Sequence, residues 1–225
     1  VHASNILGTI NPIKDFAKVI HDAGALICVD GVAYAPHRMI DVQAWDADFY
    51  VFSTYKVYGP PHAIMYGRYE LLKDLAGINH YFIGKEEIPY KLQPGNFNFE
   101  LTYSMGGITE YFTALSDHHG NKPDEKNNRK KLENAFSLIA GHEQMLAERM
   151  IKYLLSKPEI SIIGFDTADR SKRVPTISFI HERYKSSQLA ERIDPFGIGI
   201  RWGDFYAKKL IEYLALVEKD GVVRV

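Results

Sequence analysis

The chain has 225 residues, 46% of them hydrophobic, and a formal net charge of −1. That is enough apolar content for one large domain or two modest ones, and the balanced charge leaves no basic footprint for nucleic acid or an anionic membrane. The one cysteine, Cys28, excludes an internal disulfide framework; with no apolar run near 18 residues and no secretory leader, the expected setting is reducing and cytoplasmic.

In chain order, Asn11 and Pro12 predict a helix start, the polar residue as cap and the proline in the first turn. Ile13, Phe16, Ala17 and Ile20 follow at helical spacing, and Gly24 ends the run. Residues 25–30, 47–52 and 62–67 are short apolar runs that predict buried strands, the first of them parallel. Strands separated by a helix or a longer crossover indicate an α/β layer architecture. Residues 75–101 show neither period and predict loop; 105–115 predict a helix and 131–155 a long amphipathic one. Beyond them, runs at 160–165, 174–180 and 198–203 predict strands alternating with helices near 186–193 and 206–217. This pattern predicts a small α+β domain over residues 121–225, with the polar stretch near residue 120 as the boundary. The basic run at 126–131 is expected to be a solvated helix entrance.

The stretch Phe52-Ser-Thr-Tyr-Lys-Val-Tyr-Gly-Pro60 contains Ser-x-x-Lys, Ser53 and Lys56, a serine-nucleophile signature. That chemistry needs Ser53 at the start of a helix and a companion Lys-Thr-Gly, but Ser53 ends an apolar run and Lys-Thr-Gly does not occur. The other reading makes Lys56 the chemical group. Ligands of open α/β sheets sit beyond the carboxyl ends of the strands, where Asp30 ends one predicted strand and Ser53 to Lys56 follow another. A carboxylate and a lysine there are the pair that pyridoxal phosphate requires, one for the pyridine nitrogen and one for the aldehyde. Metal ligation has little support: His118 and His119 are adjacent, and no His-Glu-x-x-His string exists.

Five motifs stand in order: Ser-Asn-x-x-Gly from Ser4, Val-Asp-Gly from Val29, Ala-Pro-His from Ala35, Asp-Phe-Tyr-x-Phe-Ser from Asp48 and Lys-x-Tyr-Gly-Pro from Lys56. Together they resemble the class V aminotransferase and cysteine desulfurase family, whose fold is the type I pyridoxal-phosphate fold. The resemblance implies the C-terminal portion of such an enzyme. Residues 1–120 would be the end of a large cofactor domain with a mostly parallel sheet, and 121–225 the small α+β domain. It implies pyridoxal 5'-phosphate as cofactor, an amino acid as substrate and a homodimer. Lys56 would be the Schiff-base lysine, Asp30 the partner of the pyridine nitrogen and Ser53 a phosphate ligand, with Tyr55 able to offer a second hydroxyl. Asn5 would lie near the cofactor's phenolic oxygen, and Arg224 would grip the substrate α-carboxylate, a bidentate task suited to guanidinium. Asn96, with Asn98 beside it, would reach the phosphate site of the partner subunit. His37 is expected to be structural.

Three positions depart from the family pattern. Tyr206 stands where desulfurases carry a mobile-loop cysteine, Tyr55 replaces a histidine, and Ala33 replaces a glutamine. Cys28, in a predicted buried strand, is expected to behave as a small hydrophobe rather than a substitute nucleophile. The expected chemistry is amino transfer or lyase chemistry without a persulfide. The alternatives are a truncated non-catalytic relative that keeps the fold, because the family's N-terminal half supplies part of the cofactor site, and a cysteine desulfurase.

Overall fold

The computed structural model describes residues 1–120 and 127–225. The chain forms two compact units, one of Val1–His2 with Pro12–Phe136 and one of Ala3–Asn11 with Ser137–Val225. The polar stretch expected as the domain boundary lies largely outside the described residues. No helix among the described residues is long and apolar enough to cross a membrane.

In the first unit, α1 (Ile13–Asp22) starts with Pro12 in the cap position and no side-chain cap bond, one residue later than the sequence predicts. Ile13 and Ala17 are buried and Ile20 packs beside them, whereas Phe16 points outward. The stripe covers one face of a three-stranded sheet, β1 (Cys28–Asp30), β2 (Phe49–Ser53) and β3 (Ala63–Gly67), in that order. Val29, Tyr50 and Ala47 complete this core, each about 1–2% exposed. The pair β1–β2 is parallel, as expected, but β2–β3 is antiparallel, which makes this sheet mixed. The reason is chain length: only residues 54–62 join β2 to β3, too few for the crossover that a parallel return needs. Alternation places Cys28 and Asp30 on the face away from α1, and both are exposed. The expectation of a buried Cys28 is therefore corrected. Short apolar runs reveal a strand but not which of its faces is covered.

After β3 come α2 (Tyr69–Asp74), α3 (Phe99–Ser104) and α4 (Gly106–His119). The loop predicted over 75–101 takes in the first half of α3, which is helical. Its cap is local: the Asn98 side chain accepts a hydrogen bond from Leu101 N–H at 2.8 Å. Asn98 is thus spent on helix capping. Phe112 of α4 is buried against Phe136, with ring centroids 4.6 Å apart.

The second unit is an antiparallel sheet of order β4 (Ile160–Ile163), β5 (Ser178–His181), β7 (Val222–Arg224), β6 (Arg201–Gly203). The helix α5 (Asn128–Leu155) brings Ala147, Ile151 and Leu154, spaced one helical stripe apart, against Ile177, Phe179 and Val223. The opposite face buries Ile6, Ile211, Leu216 and Val222. Helices α6 (Ser186–Ile193) and α7 (Lys208–Tyr213) complete the unit; α7 is shorter than expected, and Ala215 just past its end has a positive φ of 55°. The segment before α1 belongs here through the Thr9–Arg173 bridge and a 2.7 Å hydrogen bond from the Ser178 hydroxyl to the Ile6 carbonyl.

One ionic cluster braces the first unit. Asp48, buried, accepts from His21 Nε2 and Ile27 N–H, each at 2.8 Å, and pairs ionically with Arg68, whose Nε lies 3.0 Å away. The Asp48 hydrogen bond, aided by the charges of Asp48 and Asp46, raises the His21 pKa above its ordinary value. A raised histidine pKa contributes stability that is present in full below about pH 6.5 and lost as pH rises through the folded-state value. Asp48→Asn is therefore expected to lower the melting temperature most at mildly acidic pH, with the gap to wild type narrowing toward alkaline pH. A thermal melt series across that range checks this, and a gap that widens with pH would contradict it.

Candidate functional site

Asp30 ends β1 opposite Val51 of β2, and Gly31 N–H donates to the Val51 carbonyl at 2.8 Å. The strands are parallel, so both carboxyl ends leave at one edge. Ser53 follows Val51 by two residues and therefore shares the face of Asp30. Asp30 is held at two points: its carbonyl accepts from His2 N–H at 2.7 Å, and its carboxylate Oδ1 accepts from Val32 N–H at 2.9 Å.

Beneath this turn lies an aromatic cluster. His2 stacks on Tyr34 with centroids 3.5 Å apart, meets Trp45 edge-on, and its Nδ1 is 2.9 Å from the Tyr50 hydroxyl. Burial lowers the His2 pKa to about 4 and pushes the Tyr50 pKa up. Both groups are therefore neutral at physiological pH and fit an apolar setting. The Tyr50 ring fills the space beside Gly31: a Cβ there would stand 2.1 Å from a ring carbon. The glycine after Asp30 is thus required by packing. Sequence reasoning missed His2, Tyr34 and Trp45, whose spacing along the chain follows no local period.

Lys56 closes a 3-10 turn, Thr54–Lys56, that begins directly after β2. Ser53 therefore ends a strand, the wrong context for a helix-borne serine nucleophile. The turn is pinned by Thr54, which is fully buried. Its hydroxyl is 2.7 Å from the Pro60 carbonyl and 3.0 Å from that of His62, its N–H donates to His62, and its own carbonyl accepts from Val57 and Gly59 N–H. A Cβ on Gly59 would meet Ile108 at 2.5 Å, so the loop returns tightly against α4. On this fixed base Lys56 and Tyr55 are both exposed, with Lys56 Nζ 5.7 Å from the Tyr55 ring centroid. Neither Lys56 nor Asp30 makes an ion pair among the described residues.

In the second unit the structure brings Asn5 and Arg224 together. The Asn5 amide donates to the Phe205 carbonyl at 2.8 Å, and Arg224 Nη1 donates to the Asn5 carbonyl at 2.8 Å. The guanidinium lies 3.8 Å from the Phe205 ring centroid, a cation–π contact. Arg224 is not on an edge strand, since β7 runs between β5 and β6. Burial, and then the charge of Arg201, pull its pKa down. The loop after β6 carries Phe205 and Tyr206 at φ of 48° and 66°, both left-handed, and the Asp204 carboxylate accepts from Tyr206 N–H at 2.9 Å. The Tyr206 side chain is fully exposed.

Asn96 lies exposed in the loop before α3, next to Gly95, whose φ is 104°. His37 is half-buried, and Arg38 donates to its backbone carbonyl at 2.6 Å.

Thr54→Val removes a buried hydroxyl and sets a methyl against two carbonyls, so a loss of roughly 1–2 kcal/mol is expected, with Thr54→Ser retaining most of it. Urea unfolding of both variants checks this; equal stability of Thr54→Val and wild type would show that the hydroxyl does not pin the turn.

The family Aminotransferase class-V matches residues 1–139. An aminotransferase-like protein of Gibberella zeae is 42% identical over the whole chain, which covers 52% of that relative. A cysteine desulfurase-like protein of Aspergillus flavus is 35% identical over 86% of the chain and 40% of its own length. The chain thus spans about half the length of the curated relatives it matches. A crystal structure of an Escherichia coli cysteine desulfurase superposes on the whole chain and on 52% of its own, with a TM-score of 0.74 at 21% identity. That likeness shows the fold, which is the α/β type I fold of pyridoxal-phosphate enzymes. With the family's sequence pattern matching more than half of its residues, this chain belongs to the class-V aminotransferase family.

Proposed function

We propose that this chain is part of a pyridoxal-phosphate enzyme that acts on an amino acid, by amino transfer or lyase chemistry, through Lys56. The observation that carries the reading is the shared edge of β1 and β2, where Asp30 and the Ser53–Lys56 segment leave together. Members of the family use pyridoxal phosphate. The donor set suits that group: a primary amine, a carboxylate and a hydroxyl, with neither charged group spent on an ion pair among the described residues.

Lys56 would hold the cofactor covalently through Nζ, Asp30 would face its ring nitrogen, and Ser53 with Tyr55 would take its phosphate oxygens. When bound, pyridoxal phosphate supplies an electron sink for bond breaking at the substrate's α-carbon. Asp30 would favour a proton on the ring nitrogen by its negative charge, and its fixed backbone removes the need to reorganise. Lys56 Nζ would also take the substrate's α-proton and return it; a flexible four-carbon stem on a rigid turn gives the amine reach without losing its position. Arg224, with donors left beyond the one given to Asn5, would hold the α-carboxylate. Asn5 serves this reading through Phe205 and Arg224, its amide being given to the Phe205 carbonyl.

The reading proposed here includes no persulfide step. The exposed loop position is Tyr206, and Cys28 lies two residues before the strand end that carries Asp30, about 6–7 Å back from the edge. The homodimer is proposed on a different observation: Tyr81, Phe82, Phe97 and Phe99, in the loop-rich stretch that holds Asn96, are 37–99% exposed, an aromatic density that marks contact surfaces. Sedimentation velocity is expected to show a dimer, shifted toward monomer by Phe82→Asp; a monomer at every concentration would dismiss it.

The central test adds pyridoxal phosphate to the protein, reduces with borohydride and maps the modified peptide. The cofactor mass is expected on the peptide holding Lys56, with the visible absorbance band lost in Lys56→Ala. Label on another lysine would overturn the assignment, and sulfide release from cysteine by the wild type would favour the desulfurase reading.

A further inference from the structure

Arg224, Phe205 and Asn5, all in the second unit, close a ring of contacts. Arg224 Nη1 donates to the Asn5 carbonyl at 2.8 Å, and the Asn5 amide donates to the Phe205 carbonyl at 2.8 Å. The Phe205 ring completes the circle, its centroid 3.8 Å from the guanidinium carbon. The strand by itself would not bring this ring there. β6 runs against β7 with Arg201 opposite Arg224 and Gly203 opposite Val222. Carried on in that register, position 205 would face position 220, four residues and about 13 Å along the strand from Arg224. The left-handed pair Phe205 and Tyr206 takes the chain off that line. Residues other than glycine adopt that region rarely and at a cost, and stay there only where their surroundings hold them. Three bonds do so: Tyr206 N–H to the Asp204 carboxylate at 2.9 Å, Ala207 N–H to the Asp204 carbonyl at 2.8 Å, and the Asn5 amide to the Phe205 carbonyl.

We infer that Phe205 is a positioning residue for Arg224: its ring fixes the plane in which the guanidinium presents its remaining donors to a carboxylate. The inference deepens the proposed function and rests on its reading of Arg224. An unsupported arginine side chain samples many rotamers, and ordering it weakens whatever binding depends on it. Here the ordering precedes the ligand. The ring face attracts the cation and holds the planar group along it, while the Asn5 carbonyl takes one donor and sets the rotation within the plane. A carboxylate is gripped by paired donors of one plane, so a guanidinium held this way needs little further ordering. Arg224 is half-buried and makes no ion pair among the described residues, which leaves its charge to an incoming anion. Phe205 is itself anchored, since it packs on the core cluster of Ile6, Ile211, Leu216 and Val222. Leucine could keep that core contact but offers the cation no aromatic face.

An NMR titration of the protein with acetate, and with acetamide as its neutral isostere, tests this. Affinity is read from backbone amide shifts, and local order from relaxation of the Arg224 Nε–H signal, identified by its loss in Arg224→Ala. Wild type is expected to bind acetate saturably and acetamide not at all, and Arg224→Ala to lose acetate binding. Phe205→Leu should bind acetate about fivefold or more weakly, the scale of a cation–π contact, and Phe205→Tyr should stay within about twofold of wild type. The Arg224 Nε–H order parameter should fall in Phe205→Leu and hold in Phe205→Tyr, with the melting temperatures of both variants close to wild type. Wild-type affinity in Phe205→Leu overturns the inference and leaves the reading of Arg224 standing. An unchanged Arg224 order parameter in Phe205→Leu, or an equal weakening in Phe205→Tyr, also overturns it and makes Phe205 a core residue only. If wild type fails to bind acetate, or Arg224→Ala binds it equally well, the reading of Arg224 falls and takes the inference with it.

Discussion

In the parallel pair β1–β2 each strand delivers its carboxyl end to the same edge, and everything that bears on chemistry in the first unit follows from that. Antiparallel pairing would send Asp30 and Ser53 to opposite ends of the sheet. The parallel arrangement is possible because residues 31–48, which join β1 to β2, give enough chain to return in the same direction. The shorter link from β2 to β3 cannot do so, and its antiparallel return has its own use. It brings the chain back past Thr54, which gathers the carbonyls of Pro60 and His62 around one buried hydroxyl.

The edge combines a fixed backbone with exposed side chains. Asp30 is held by His2, Val32 and, through Gly31, by Val51 and the Tyr50 ring. Lys56 rests on a turn pinned from inside. Yet Asp30, Tyr55 and Lys56 themselves are exposed. The buried polar groups beneath this edge, His2, Tyr50 and Thr54, are neutral, and their hydrogen bonds are satisfied among themselves or by backbone. This division avoids the cost of burying charge while keeping the reactive groups at a defined place.

The second unit solves a different problem. Its antiparallel sheet has both faces covered, by α5 on one side and by the segment at Ile6 with Ile211 and Leu216 on the other. Within that apolar setting Arg224 emerges from an interior strand and meets Asn5, Phe205 and Arg201. A cation stacked on a ring and donating to a backbone carbonyl is well oriented but keeps its charge.

By itself the sequence determined the strand-end placement of Asp30 and Ser53, the lysine that follows, the long helix and the family, because these are written in short periods and contiguous motifs. Periodicity could not tell that β3 returns antiparallel, that Cys28 faces outward, or that residues 99–104 form a helix capped by Asn98. Those depend on connection length, on which sheet face is covered, and on one side-chain bond. The partnerships of His2 with Tyr50, of Thr54 with Pro60 and His62, and of Arg201 with Arg224 were decided by tertiary structure alone. Each joins residues whose separation follows no local period, and only strand register and close packing bring them face to face.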